Sequence, residues 1–161
     1  MIRAAIKADA AAIAEIWRPV LAESLATFNP VVKTAQDVAA MIAEKSTAGH
    51  GFFVAEEVGE ILGFATYGQF RSGVGYAHTM EHTVILANKG QGRGIGRALL
   101  QAVEDHARDA GAHSMFAGVS AANQSGVAFH ERLGYREVSR LSEVGFKFGQ
   151  YLDLVLLQKF L

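Results

Sequence analysis

Three glycines fall within five residues in the run Gln91-Gly92-Arg93-Gly94-Ile95-Gly96, directly after the apolar stretch Val84-Ile85-Leu86 and directly before a strongly periodic segment. A strand that turns on glycines into a helix leaves the first-turn amides without intrahelical partners, at the positive end of the helix dipole. The chemistry this run favours is therefore anion binding, with phosphate the natural ligand. Glycines let the backbone approach a pyrophosphate with no side chain in between. Arg93 and Arg97 flank the turn, either as phosphate contacts or as solvent-exposed charges. Two other phosphate motifs do not fit: no Gly-Lys-Ser/Thr tripeptide occurs, so there is no P-loop. The dinucleotide fingerprint Gly-x-Gly-x-x-Gly ends on Arg97 when counted from Gly92 and on Leu99 when counted from Gly94. What is present is Gln-x-x-Gly-x-Gly, for which a tight structural turn is the competing reading.

A second run, His78-Thr79-Met80-Glu81-His82, spells His-x-x-Glu-His, which on a helix could hold zinc. Thr83, Val84 and Ile85 favour a strand instead, and on a strand positions 78 and 82 lie about 13 Å apart, too far to share one ion. No metal is expected. The chain has no cysteine, so disulfides, thiolate metal sites and cysteine nucleophiles are excluded. Fifteen Lys and Arg against 16 Asp and Glu leave no basic surface for nucleic acid or an anionic membrane. No apolar run approaches the roughly 20 residues of a membrane span, and Met1 to Lys7 lacks the apolar core of a signal peptide. A cytoplasmic protein with a small-molecule ligand is the expectation.

The elements that must position these residues follow from periodicity. Ile2–Ile6 reads as a strand. Asp9 can cap a helix carrying Ile13, Ile16, Trp17, Val20 and Leu21, which should kink or change course at Pro19. A second helix spans about Thr34 to Thr47, after an irregular connection from Ser24 to Val32. Phe52–Val58 and Ile61–Phe70 form a hairpin turning at Gly59-Glu60; Glu81–Leu86 is the next strand. A helix to about Ala110 follows the glycine turn, then a strand at Ser114–Val119, a helix at Asn123–Leu133, and a final hairpin of Tyr135–Phe146 with Gln150–Phe160. With no repeat or linker, residues 1–161 read as one α/β (α+β) domain in the order β-α-α-β-β-β-α-β-α-β-β. Its sheet is mixed, mostly antiparallel and twisted, and is flanked by helices.

The glycine motif in this setting resembles the signature of the GNAT superfamily of N-acetyltransferases, which binds the pyrophosphate of acetyl-coenzyme A. Asn123, seven residues before His130 and followed by Leu133-Gly134-Tyr135, resembles the family's second motif. The resemblance implies acetyl-CoA as cosubstrate and phosphate contacts from Gln91, Gly92, Arg93, Gly94, Ile95, Gly96 and Arg97. It also implies pantetheine contacts from Asn123 and from the backbone of Val84, Ile85 and Leu86. Arg71-Ser72, His78 to Val84 and Gly145-Phe146-Lys147-Phe148-Gly149 are similar to the phosphinothricin and methionine sulfoximine acetyltransferase group, which acetylates the amino group of small amino-acid analogues. Phe148, Tyr151 and the loop Gly73-Val74-Gly75 depart from the residues some members carry.

Acetyl transfer needs a neutral amine, so an ammonium must first lose a proton. Glu81 is the candidate base, direct or through water; its alternative is a pocket carboxylate paired with His82 or Arg71. His130 stands where many superfamily members carry an acid, and is read either as the donor to the leaving thiolate or as a packed core histidine. Arg71, with Ser72 beside it, would grip a substrate carboxylate or lie exposed in its loop. Phe28 walls the acceptor pocket or belongs to the core. Lys147 is a substrate contact from a partner subunit or a solvated charge at the hairpin turn. Ser125 and Tyr135 are weaker candidates for contact with the cosubstrate. The resemblance and the apolar final hairpin imply a homodimer. Other amines, such as a protein N-terminus, a polyamine or an aminoglycoside, and a non-catalytic acyl-CoA-binding role are the alternatives.

Overall fold

The computed structural model describes all residues from Met1 to Leu161. Its elements are β1 (Ile2–Ala4), α1 (Ala10–Glu23), α2 (Ala35–Thr47), β2 (Phe52–Glu57), β3 (Glu60–Gln69), β4 (Thr79–Leu86), α3 (Ile95–Asp109), β5 (Ser114–Ser120), α4 (Gln124–Arg132), β6 (Arg136–Lys147) and β7 (Gln150–Phe160). The strands make one sheet in the order β1-β2-β3-β4-β5-β7-β6. Every neighbouring pair is antiparallel except β4 and β5, which the α3 crossover forces to run parallel.

Helices cover both faces because strand alternation supplies two apolar surfaces. On one face Phe52, Val54 and Phe64 meet Ile13, Trp17 and Leu21 of α1 and Val38 of α2. On the other, Tyr67, Met80, Met115 and Leu157 meet Leu99, Leu100, Val103 and Ala107 of α3. The buried α3 positions recur at helical spacing, which places the residues before Ile95 at the sheet's open end.

Local chemistry sets the element ends. Thr34 caps α2 by accepting from the Asp37 amide while Asp37 accepts from the Thr34 amide, a reciprocal capping box. Asp9 does not cap α1 as expected: its carboxylate is held by the Arg3 guanidinium and accepts from the Ile6 amide, upstream of the helix. Pro19 does not end the helix, which runs on to Glu23. β1 stops at Ala4 rather than Ile6, because Lys7 to Asp9 form a 3-10 turn. The β2–β3 turn lies one residue earlier than expected, at Val58-Gly59. Their φ angles of 50° and 78° have the two positive values of a type I′ hairpin.

Candidate active site

β4 and β5 are paired only from Thr79–Ser114 to Glu81–Phe116, although β4 continues to Leu86 and β5 to Ser120. Beyond Glu81 the two strands part. β4 stays bonded to β3 as far as Leu86, so its other edge carries peptide groups with no strand to meet. A sheet opened from within offers what a sheet edge offers, a row of donors and acceptors for an extended ligand.

A cleft of about 390 Å³ follows this opening, lined by Val84, Ile85 and Leu86 on one side and by Asn123, Phe129 and His130 on the other. Gln91 and Gly96 form one end, and Val20, Ser24 and Ala26 close over it from α1 and the loop that follows. At the Gln91 end, the amides of Gly92 to Arg97 donate to no acceptor in the protein. Gly92 and Gly94 have φ of 71° and 77°, and neither has any atom near the place where a Cβ would stand. The left-handed turn thus bends the chain into the N-terminus of α3, which has no side-chain cap, and leaves its amides bare. Of the two flanking arginines, Arg93 is paired with Glu57 at 2.8 Å, whereas Arg97 makes no ion pair and lines a cavity with Phe129 and Arg132. Ile95 packs its side chain against the core, leaving only its backbone toward the turn.

Asn123 is the N-cap of α4: its side-chain oxygen accepts from the Gly126 amide at 3.0 Å and from the Ser125 hydroxyl at 3.1 Å. A side chain on Gly126 would overlap Asn123, so the turn that presents Asn123 to the cleft depends on that glycine. Tyr135 is not a cosubstrate contact. It is buried, and its hydroxyl donates to Glu104, which also receives Lys159.

Glu81 stands where the strands part. One carboxylate oxygen lies 3.1 Å from where a Cβ of Gly118 would be, so the carboxylate leans across β5 over a glycine. It makes no hydrogen bond or ion pair, and neither His82 nor Arg71 pairs with it. Burial raises its pKa above the ordinary carboxylate value, toward the range in which a base is both deprotonated and basic enough to be useful.

His130 lines the cleft, but its protonation is wrong for an acid. Its Nδ1 sits 2.7 Å from the Gly126 carbonyl, which can only accept, so Nδ1 carries the proton and Nε2 of the neutral ring has none to give. Burial lowers the pKa of the ring and so disfavours the charged form. Sequence position alone pointed to this residue; the tautomer follows from helix geometry, since Gly126 is one turn earlier. Beneath it His82 stacks at 5.0 Å between ring centroids, buried and held neutral by a pKa pushed down to about 3.

Arg71 and Ser72 lie exposed in the loop after β3, with the Arg71 guanidinium 5.8 Å over the Phe70 ring and no carboxylate partner. Gln69 fixes the loop by donating to the carbonyls of Arg71 and Gly73. Phe28 is half-buried, its ring packed on Gly145 so closely that a Cβ there would come within 2.6 Å. Lys147 is neither a solvated charge nor free to meet a substrate. It is 1% exposed, and its ammonium donates to the carbonyls of Val20, Ser24 and Thr27 and to the Thr27 hydroxyl.

Gly68 and Gly118 were not singled out in the sequence, yet they flank Glu81 on β3 and β5. The available signal was a glycine inside each strand pattern, a mark of close approach.

Residues 17–135 match the model of the acetyltransferase (GNAT) family. The chain belongs to the GNAT family. This GNAT chain is 40% identical to the L-amino acid N-acyltransferase of Escherichia coli over 98% of its own length and 91% of the relative's. It is 36% identical to the L-methionine sulfoximine/L-methionine sulfone acetyltransferase of Salmonella typhimurium, over 98% of its length and 92% of the relative's. Its fold superposes on a GNAT superfamily phosphinothricin acetyltransferase from Sinorhizobium meliloti, solved in complex with acetyl-CoA. The TM-score is 0.94 and the identity 29%, with 100% of this chain and 88% of that one covered. The open strand edge and the bare amides of this GNAT chain fit such a cosubstrate, the one meeting an extended amide-bearing arm and the other a pyrophosphate.

Proposed function

We propose that the chain transfers the acetyl group of acetyl-CoA to the amino group of a small amino acid or analogue of the phosphinothricin, methionine sulfoximine or methionine sulfone type. The observation that carries this reading is the unpartnered Glu81 carboxylate at the point where the sheet opens, beside the cleft whose far end holds the bare amides. The names of the relatives supply the acceptor class. Bound acetyl-CoA supplies a thioester; the protein supplies alignment and a base. The amides of Gly92 to Arg97 and the β4 edge from Val84 to Leu86 hold the donor, with Asn123 opposite. Glu81 takes a proton from the acceptor ammonium, directly or through water. The freed amine then attacks the thioester carbon, an amide C–N bond forms, the C–S bond breaks, and coenzyme A leaves as a thiolate that takes up the second amine proton through water. Arg71 pairs with the acceptor carboxylate.

The test compares methionine sulfoximine with its decarboxylated amine. A strong preference for the amino acid is expected, and equal kcat/KM on both would sink the carboxylate clamp. An alanine-terminated peptide serves as the competing acceptor, and its preference over every amino acid would overturn the proposed substrate class.

No helix is long and apolar enough to cross a membrane, and we propose a cytoplasmic location. We further propose a homodimer built on the last hairpin, where edge strand β6 and its partner β7 expose Val144, Phe146, Tyr151 and Phe160. Light scattering on the purified chain should give twice the protomer mass; the protomer mass alone would refute it.

A further inference from the structure

The acceptor face carries a second cation that neither the motif nor the family resemblance pointed to. Lys45 lies in the last turn of α2, half-buried, and its ammonium makes no hydrogen bond or ion pair. It reaches over β3 to within 2.6 Å of where a Cβ of Gly68 would stand. Gly68 is the residue directly opposite Glu81 in the β3–β4 ladder, so both point to the same face of the sheet.

That face is built as an open floor between two charges. Gly68 on β3 and Gly118 on β5 offer no side chains on either side of Glu81, whose carboxylate leans toward Gly118, away from Lys45. Phe70 and Phe116, stacked at 4.5 Å, wall one end, with Arg71 beyond them. His50 stands near the ammonium and adds no negative charge. A partly desolvated ammonium without a counterion is costly in the free protein, and an anion delivered by a ligand offsets that cost.

An acceptor held by both charges would lie across the β3–β4 pair. Directly opposed residues of an antiparallel pair have Cα atoms about 4.5–5.5 Å apart; the Glu81 carboxylate leans from one of them toward Gly118, while the Lys45 ammonium, arriving from α2, stands over the other, Gly68. An α-amino acid whose amine meets Glu81 and whose carboxylate meets a cation spans about 8–9 Å, counting two charge-assisted hydrogen bonds of about 2.8 Å.

Resting on the amino-acid reading above, we infer that Lys45 is a specificity-determining residue of the acceptor site, binding an anionic or strongly polar oxygen of the acceptor while Glu81 takes its amine. The oxygen belongs either to the α-carboxylate or to the oxidised side chain, and the arms of the test separate them.

The experiment measures Lys45→Met and Lys45→Arg against wild type on L-methionine sulfone, on its decarboxylated amine and on norleucine, which lacks the sulfone oxygens. For Lys45→Met, KM for methionine sulfone should rise about tenfold or more, the loss of one charge-assisted contact. Its kcat should stay within about threefold and KM for acetyl-CoA should not move, because the ammonium takes no part in proton removal or donor binding. Lys45→Arg should recover most of the loss. If the rise disappears on the decarboxylated amine, the carboxylate is the ligand; if it disappears on norleucine, the sulfone is.

An unchanged KM on methionine sulfone, or an equal rise on all three acceptors, would overturn the assignment while wild-type turnover still supported the amino-acid reading. Wild type that neither turns over nor binds any of the amino acids by calorimetry would remove that reading and this one together.

Discussion

Glu81→Gln should lower kcat by about two to four orders of magnitude, the usual contribution of a positioned base, and leave the Kd for acetyl-CoA within about twofold. The amide keeps the shape and polarity of the side chain and removes only its capacity to take a proton. The groups proposed to hold the donor, Val84 to Leu86 and the amides of Gly92 to Arg97, are separate from it along the chain. A carboxylate that merely shaped the pocket would be replaced by glutamine at little cost to turnover, so near-wild-type kcat would end the assignment.

The pH profile adds an independent sign. Burial raises the Glu81 pKa, and the base must be ionised to act. Activity should therefore rise with pH through an acid limb lying above the ordinary carboxylate value of about 4.3. That limb should vanish from the residual activity of Glu81→Gln. A wild-type limb at or below the ordinary carboxylate value would show that some other group limits the reaction.

Lys147→Met should cost about 2–4 kcal/mol of stability, from the loss of charge-assisted hydrogen bonds to partly buried carbonyls. For a chain of this size that is a fall in Tm of roughly 5–15 °C. The three carbonyls belong to the last turn of α1 and the residues after it, where a helix has acceptors to spare and a negative dipole end that favours a cation. Methionine keeps the length and buries well, so the change isolates the donors from the volume. The loop thus released includes Ser24 and Ala26, which line the cleft. KM for acetyl-CoA should also rise, while the pH limb of Glu81 stays in place. Calorimetric melting checks the first effect, and a Tm within about 1 °C of wild type would contradict it.

These two residues mark how far the sequence could be read. Helices α2 and α3 were legible from apolar spacing, and the left-handed turn with bare amides from glycines at a strand-to-helix junction, because both are local patterns of backbone geometry. The position of Glu81 at the opening was not legible. It depends on β4 and β5 parting after a short stretch of parallel pairing, a consequence of long-range topology that no local window contains. Lys147 misled for the same reason: a lysine at a hairpin turn is normally solvated, and its partners here are more than a hundred positions away in the chain. His130 was read either as a donor to the leaving thiolate or as a packed core histidine; it lines the cleft, and its proton is fixed by the Gly126 carbonyl, a detail of α4 that the motif does not encode. Lys45 and Gly68 were overlooked because each is ordinary alone, and only strand register sets one over the other opposite Glu81.

The proposed reaction is acetyl transfer from acetyl-CoA to an amino-acid amine. Its most direct measurement is thiol release by the purified chain mixed with acetyl-CoA and L-methionine sulfone, with the product identified by mass spectrometry. Release should depend on both components, with N-acetyl-methionine sulfone formed in equal amount. Acetyl-CoA binding without thiol release, across methionine sulfone, methionine sulfoximine and phosphinothricin, would contradict it.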